Sequence, residues 1–173
     1  LPGTPPGRVG ATMRDARLRI YGAATPFLER VLESVRARGL ATAVDYLGPR
    51  RLEDIARAIQ DCDVGIIPNQ RSLFTELNTP TRIFEYLAIG KPVIAPRAAG
   101  ILDYFDEDSL IYFELGNSAD LARCIEHVIA YPRDAAETAR RGQAVYRAHT
   151  WQQERDTFVR LADGLLGGRR SFA

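Results

Sequence analysis

Short β-branched runs alternate along the chain with longer segments whose apolar positions recur at helical spacing. Leu18-Arg19-Ile20-Tyr21 predicts a strand ending at Gly22. Thr25 and Pro26 then open a helix with Leu28, Val31, Leu32 and Val35 on one face. Val44-Asp45-Tyr46-Leu47 predicts the next strand, closed by Gly48-Pro49, and Leu52, Ile55, Ala56 and Ile59 mark a second helix. A third strand, Val64-Gly65-Ile66-Ile67, stops at Pro68, and Val93-Ile94-Ala95 and Leu110-Ile111-Tyr112-Phe113 supply two more. Ser118 caps a helix carrying Leu121, Ala122, Ile125, Val128 and Ile129, and another helix fills residues 134–148. Thr150 and Gln153 form a capping box for a final helix bearing Trp151, Phe158, Leu161 and Leu165. The order predicts an α/β fold: a parallel sheet with helices on both faces, then extra C-terminal helices. Residues 1–10, rich in Pro and Gly, break the pattern where a strand and helix are expected. The sequence therefore reads as a fragment, residues 1–173 forming one domain whose first strand is absent or unreadable.

In an open parallel sheet, ligands bind outside the carboxyl ends of the strands. The segments leaving those ends are Gly22-Ala23-Ala24, Gly48-Pro49-Arg50-Arg51, residues 69–79 and residues 97–100, all short, polar or glycine-bearing. Their expected convergence makes Gly22 and Arg50 candidates for one crevice. Between them lies Thr79-Pro80-Thr81-Arg82-Ile83-Phe84-Glu85-Tyr86-Leu87-Ala88-Ile89-Gly90-Lys91-Pro92-Val93-Ile94-Ala95. Thr79 suits an N-cap, Pro80 the first helical position, and Gly90 the left-handed residue past the end. Ile83, Phe84, Leu87 and Ala88 form a stripe that packs on a sheet. Free N–H groups at the helix start, with Arg82 beside them, attract phosphate. Glu85 follows roughly 4.5 Å along the axis, at 1.5 Å per residue, where a carboxylate accepts from ribose hydroxyls. The alternative for both is a surface ion pair at i, i+3, worth a few tenths of a kcal/mol.

Composition narrows the field more than it directs it. A chain of 173 residues that is 46% hydrophobic suits one soluble domain. No apolar run is long enough to span a membrane, and no secretory signal is legible. A net charge of +1 leaves no electrostatic footprint for nucleic acid. Cys62 and Cys124 have no metal-ligand spacing and read as core residues in a reducing compartment. His127 reads as a surface or boundary residue and His149 as helix-end chemistry. Of 23 basic residues only Lys91 is a lysine. It stands in the Gly-Lys-Pro turn, either by chance or so that its ammonium meets the last helix carbonyls. No Walker loop, dinucleotide fingerprint or nucleophile elbow occurs.

The string TPTRIFEYLAIGKPVIA resembles the signature of the retaining, GT-B type glycosyltransferases of family four, a helix reading roughly E-x-x-A-x-G-K-P-V-[IV]-A. More weakly, the resemblance runs from Leu18 to about Leu165. It implies the Rossmann-like C-terminal domain that holds the nucleotide-sugar donor. It also implies a missing N-terminal domain for the acceptor, so that the isolated domain turns over poorly. It assigns Glu85 to the donor ribose. A second family glutamate, eight positions earlier and aimed at the sugar, falls here on Leu77, with Glu76 one place off. Asn78-Thr79-Pro80-Thr81-Arg82 matches resembling sequences in which small polar side chains and backbone N–H groups meet sugar and phosphates. The basic residues that grip the pyrophosphate follow the missing first strand and have no assignment. No metal or other cofactor is implied. A cytoplasmic location follows, with peripheral membrane contact only through the absent part or the Arg169-Arg170 tail. The final helix is implied to cross back to the partner domain, leaving its apolar face uncovered. The competing readings are a sugar-nucleotide epimerase on the same two-domain plan and a flavodoxin-like binding or regulatory module. The latter needs an acidic cluster after the first strand, where Gly22-Ala23-Ala24 stands. Base, sugar, acceptor and oligomeric state are not legible.

Overall fold

The computed structural model describes residues 15–167. In chain order these form β1 (Leu18–Ile20), α1 (Pro26–Ala37), β2 (Val44–Tyr46), α2 (Leu52–Gln60), β3 (Gly65–Ile66), α3 (Leu73–Leu77) and α4 (Arg82–Ala88). There follow β4 (Val93–Arg97), α5 (Ala99–Leu102), β5 (Ile111–Glu114), α6 (Ser118–Ala130), α7 (Pro132–Ala148) and α8 (Trp151–Gly167). All five predicted strands form and every pairing is parallel, with helices flanking them. Among the described residues the hydrogen-bonded ladders are two, β1–β2 and β3–β4–β5. Across the break, the Arg19 guanidinium donates to the Asp61 carbonyl at 2.9 Å. The readings placed on residues 1–10 and on Arg169-Arg170 lie outside the described residues.

Two short helices escape the sequence pattern. Helix α3 is held by a capping box in which Ser72 and Thr75 exchange backbone and side-chain bonds. Helix α5 is a single turn directly after β4. Strand β4 also runs two residues further than predicted, through Pro96. The Ile94 carbonyl accepts from Ile67 N at 2.9 Å. By strand alternation Pro96 therefore turns its missing N–H toward β3, whose ladder has already ended at Ile66.

The core lies around β4. Ile83, Leu87, Val93, Ile94, Ile101 and Phe105 are fully buried, each large aliphatic or aromatic side chain contributing roughly 1.5–3 kcal/mol. One cluster packs α4, α5 and α7 over one face of β4, joined by Val145 and Tyr146; Ile94, Phe113, Cys124, Val128 and Ala135 fill the other. Cys124 is thus the core residue expected of it. By contrast α1 buries no residue completely, and Ile59 is the one buried apolar side chain described before β3. Helix α8 packs substantially on no other described element, and Trp151, Phe158 and Leu165 stand more than 70% exposed along it.

The caps test the sequence reading finely. Thr25 caps α1, its hydroxyl accepting from Leu28 N at 3.2 Å. Gly90, at φ +79°, ends α4: its N–H reaches the Leu87 carbonyl at 2.9 Å and Lys91 N–H the Tyr86 carbonyl at 3.0 Å. The backbone of Lys91 supplies that closure. Its charge acts elsewhere, opposing the rise that burial imposes on the pKa of the Cys62 thiol. Asn117, not Ser118, caps α6, its Oδ1 accepting from Ala119 N and Asp120 N at 3.1 Å each. In the expected box before α8, Gln153 Oε1 accepts from Thr150 N at 3.1 Å, and the Thr150 hydroxyl donates to the same oxygen at 2.6 Å.

Candidate functional site

The segment between β3 and β4 is tied down from two sides. At its start the Arg71 guanidinium donates to Glu76 Oε1 at 2.7 Å, to Glu114 Oε1 at 2.9 Å and to the Leu115 carbonyl at 3.3 Å. Glu76 is therefore committed to Arg71, and the pair is anchored at the end of β5. The Thr75 hydroxyl closes the turn on the Gln70 carbonyl at 2.6 Å. At the other end Thr79 does not cap α4, as its position suggests. Its hydroxyl donates to the Gly100 carbonyl of α5, a tertiary contact that competes successfully with local capping. Thr81 occupies the N-cap position in helical conformation, with no side-chain cap bond. Pro80 lies outside the helix, and the first turn is tight, Ile83 N donating to the Pro80 carbonyl at 3.1 Å.

Arg82 and Glu85 stand on the exposed side of α4, whose opposite side buries Ile83 and Leu87. The ion pair their i, i+3 spacing allows is not formed. Among the described residues neither side chain makes a hydrogen bond or salt bridge. An unpaired guanidinium and an unpaired carboxylate thus lie about one turn apart on a well-anchored helix. Arg82 suits a phosphate oxygen, and Glu85 accepts from hydroxyls through charge-assisted hydrogen bonds.

Tyr86 is a neighbour of Arg82 and Glu85 on α4 that sequence reasoning did not single out. Its ring lies over Gly65 of β3, so close that a Cβ there would stand 2.4 Å from Tyr86 Cδ2. Burial raises its hydroxyl pKa, Cys62 adds to the rise, Arg82 opposes it, and Glu85 and Tyr21 push it further. The phenol therefore sits within electrostatic reach of Arg82, Glu85 and the end of β1. The signal that could have found it is the small residue at Gly65, which makes room for a large ring from the neighbouring helix.

The remaining candidates gather at the ends of β1 and β2. Gly22, at φ +131°, donates to the Gly48 carbonyl at 3.1 Å and accepts from the Tyr46 hydroxyl at 2.9 Å. Arg50 is exposed and lines an open cavity of about 370 Å³ with Arg19, Tyr21, Leu47, Arg57 and Asp61. Glu76, Asn78, Thr79, Thr81, Arg82 and Glu85 take no part in that cavity. The candidates thus form two groups, one on β1–β2 and one on the α3–α4 connection. Asn78 is half-buried and ends α3, its N–H bonded to the Phe74 carbonyl at 3.0 Å. His149 pairs with Glu154 at 2.7 Å beside the Tyr104 ring, which packs edge-on against Phe84 of α4, and His127 lies against Tyr131. Among the described residues no group of three or more His, Cys, Asp or Glu side chains is placed to hold a metal ion. No helix there is long and apolar enough to cross a membrane.

Comparison with known proteins follows the same lines. A family model described as glycosyl transferase-like matches residues 8–160. A search of curated proteins by sequence found no match. Among solved structures, HepE of Anabaena in complex with UDP is 23% identical, with a TM-score of 0.67, over 76% of this chain and 36% of its own. HepE is also solved with UDP-glucose. Sucrose-phosphate synthase of Thermosynechococcus elongatus is 20% identical, with a TM-score of 0.75, over 88% of this chain and 39% of its own. The C-terminal domain of the group 1 glycosyl transferase LpcC from Francisella tularensis is 18% identical, with a TM-score of 0.67, over 79% of this chain and 70% of its own. The chain spans less than two fifths of HepE and of the synthase.

Proposed function

The chain belongs to the glycosyl transferase-like family and has the fold of a GT-B glycosyltransferase C-terminal domain, and from that premise we propose that it holds the nucleoside-diphosphate sugar of a retaining transferase. The observation that carries this reading is the exposed, unpaired Arg82 and Glu85 on α4. An acidic and a basic side chain about one turn apart, neither satisfied by the other, match a ligand with hydroxyls at one end and phosphates at the other. Glu85 accepts from the ribose hydroxyls. Arg82, Thr81 and the adjoining N–H groups face the diphosphate, whose growing charge as leaving group they stabilise electrostatically. Asn78, Thr79 and Glu76 border the sugar, while Gly22 and Arg50 close the cleft from β1 and β2. In this scheme the departing charge is met by side chains and backbone, and chelators leave donor binding unchanged. UDP is the first nucleotide to test, because HepE is solved with it. The acceptor is held by another domain, so this chain binds donor on the cytoplasmic side without transferring sugar efficiently.

Calorimetry with UDP, GDP, ADP and dTDP, with and without attached sugars, identifies the base and sugar. Glu85→Gln should then weaken binding of the preferred nucleotide by roughly 1.5–3 kcal/mol, the range for hydrogen bonds to charged groups. The 2′,3′-dideoxy nucleotide should bind the wild type poorly and be nearly indifferent to the substitution. Additive losses from mutation and hydroxyl removal would show that Glu85 does not touch the ribose.

A further inference from the structure

We propose that Gly100 is a positioning residue for the donor loop, its missing side chain setting where the backbone of Leu77-Asn78-Thr79 runs. The proposal rests on the donor-binding reading above for its ligand but on separate geometry for its mechanism. A Cβ at Gly100 would stand 2.3 Å from the Leu77 carbonyl oxygen, 2.5 Å from Leu77 C and 3.0 Å from Asn78 C. All three are backbone atoms, and ordinary non-bonded contact begins near roughly 3.5 Å. The side chain of even alanine therefore needs a shift of roughly 1 Å, which a change of rotamer at Leu77 or Asn78 does not provide.

The loop, not α5, must make that shift. Ala98, Ile101 and Phe105 are buried on either side of Gly100 and lock α5 against β4 and α4. The loop also hangs on α5 through the Thr79 hydroxyl, which donates to the carbonyl of Gly100 itself. One residue thus fixes the loop twice, by close approach and by a hydrogen bond. Arg71 holds the far side through Glu76 and Glu114. Helix α4 is anchored independently by Ile83 and Leu87, both fully buried. Insertion of a methyl group therefore moves Leu77, Asn78 and Thr79 relative to Glu85, rather than carrying Glu85 along. Gly100 is not among the glycines of positive φ, so alanine is compatible with its backbone and favours the helical turn. The defect is confined to where the loop sits.

Gly100→Ala should lower UDP-glucose affinity about tenfold or more and reduce the gain in affinity that the sugar adds over UDP alone. The factor by which Glu85→Gln weakens UDP binding should be the same with and without Gly100→Ala, because α4 stays in place. Amide shifts of residues 77–81 should change while those of Ile94 and Val128 do not. Leu102→Ala, on the exposed face of the same turn, should leave donor affinity and these shifts unaltered. Should Gly100→Ala not fold, Thr79→Val tests the same anchor without a steric insertion. It should move the same amides and weaken UDP-glucose binding in the same direction, but less. Wild-type donor affinity with unmoved loop amides, in a folded variant, overturns the positioning role and leaves the donor reading intact. A wild type that binds none of the nucleotides overturns the donor reading, while the amide shifts still decide whether Gly100 sets the loop.

Discussion

The stretch from β1 to α2 and the stretch from β3 to α7 follow the same alternation of strand and helix, yet they are packed differently. All the buried apolar side chains described, except Ile59, belong to the second. Leu28, Val31, Leu32 and Val35 form as clean a stripe on α1 as Ile83 and Leu87 do on α4, but the former stay half-buried. The difference is the number of neighbours. Strand β4 has a strand on each side and helices on both faces, whereas among the described residues β1 and β2 pair only with each other. An amphipathic pattern specifies which face turns inward; how far it is buried depends on what else is there to cover it. The candidate site straddles this divide, with Gly22 and Arg50 on the loosely covered half and Arg82 and Glu85 on the tight one.

The contrast is most exposed to challenge at single core positions. Leu87→Ala should destabilise the chain by about 2–5 kcal/mol, and Leu32→Ala by about 1 kcal/mol or less, because half-buried methyl groups leave little cavity. Urea denaturation followed by circular dichroism measures both, and equal losses would erase the distinction. Hydrogen exchange sharpens it next. Amides of β4 should open only with global unfolding, and those of β1 should exchange roughly a hundredfold faster through local opening. For ligand binding the expected gap is smaller. Arg82→Ala should cost about 1.5 kcal/mol in nucleoside-diphosphate affinity by calorimetry. Arg50→Ala should cost clearly less, since its cavity excludes the α4 residues.

The smallest effect concerns pH. Asp120 Oδ2 accepts from Glu114 N at 2.7 Å, which, with help from Arg123, lowers its pKa below the usual 3.8. A carboxyl whose folded pKa is depressed contributes stability that is present above the unfolded value and is lost as pH falls through the folded one. Asp120→Asn should therefore lower Tm slightly at pH 7 and make no difference at the acid end of a thermal titration. An effect that grew toward low pH would contradict this assignment.

Much of this organisation is legible in the residues. Five strands, the Thr25 cap and the Gly90 turn depend on local chemistry, and each forms as read. Helices α3 and α5, at five and four residues, are too short to show a helical period. Thr79 misleads because its best partner, the Gly100 carbonyl, is twenty-one residues away. Glu76, one place off the family's sugar-directed glutamate, is bound to Arg71, and nothing in the spacing announces that bond or Glu114 beyond it. Glu85 and Arg82 show the reverse, a permitted local pair that does not form. Local rules find the elements; long-range bonds decide which polar groups are left for a ligand.

Trp151 carries a practical consequence. It is the chain's one tryptophan, and it stands 77% exposed on α8, away from the core around β4. Its fluorescence should therefore emit at long wavelength in the native chain and change little when the core melts. A denaturation curve read by this indole would look flat even while circular dichroism recorded a cooperative transition. The same insensitivity makes it a clean reporter of anything that settles on α8: a blue shift of its emission would signal a covering partner, with almost no background from folding.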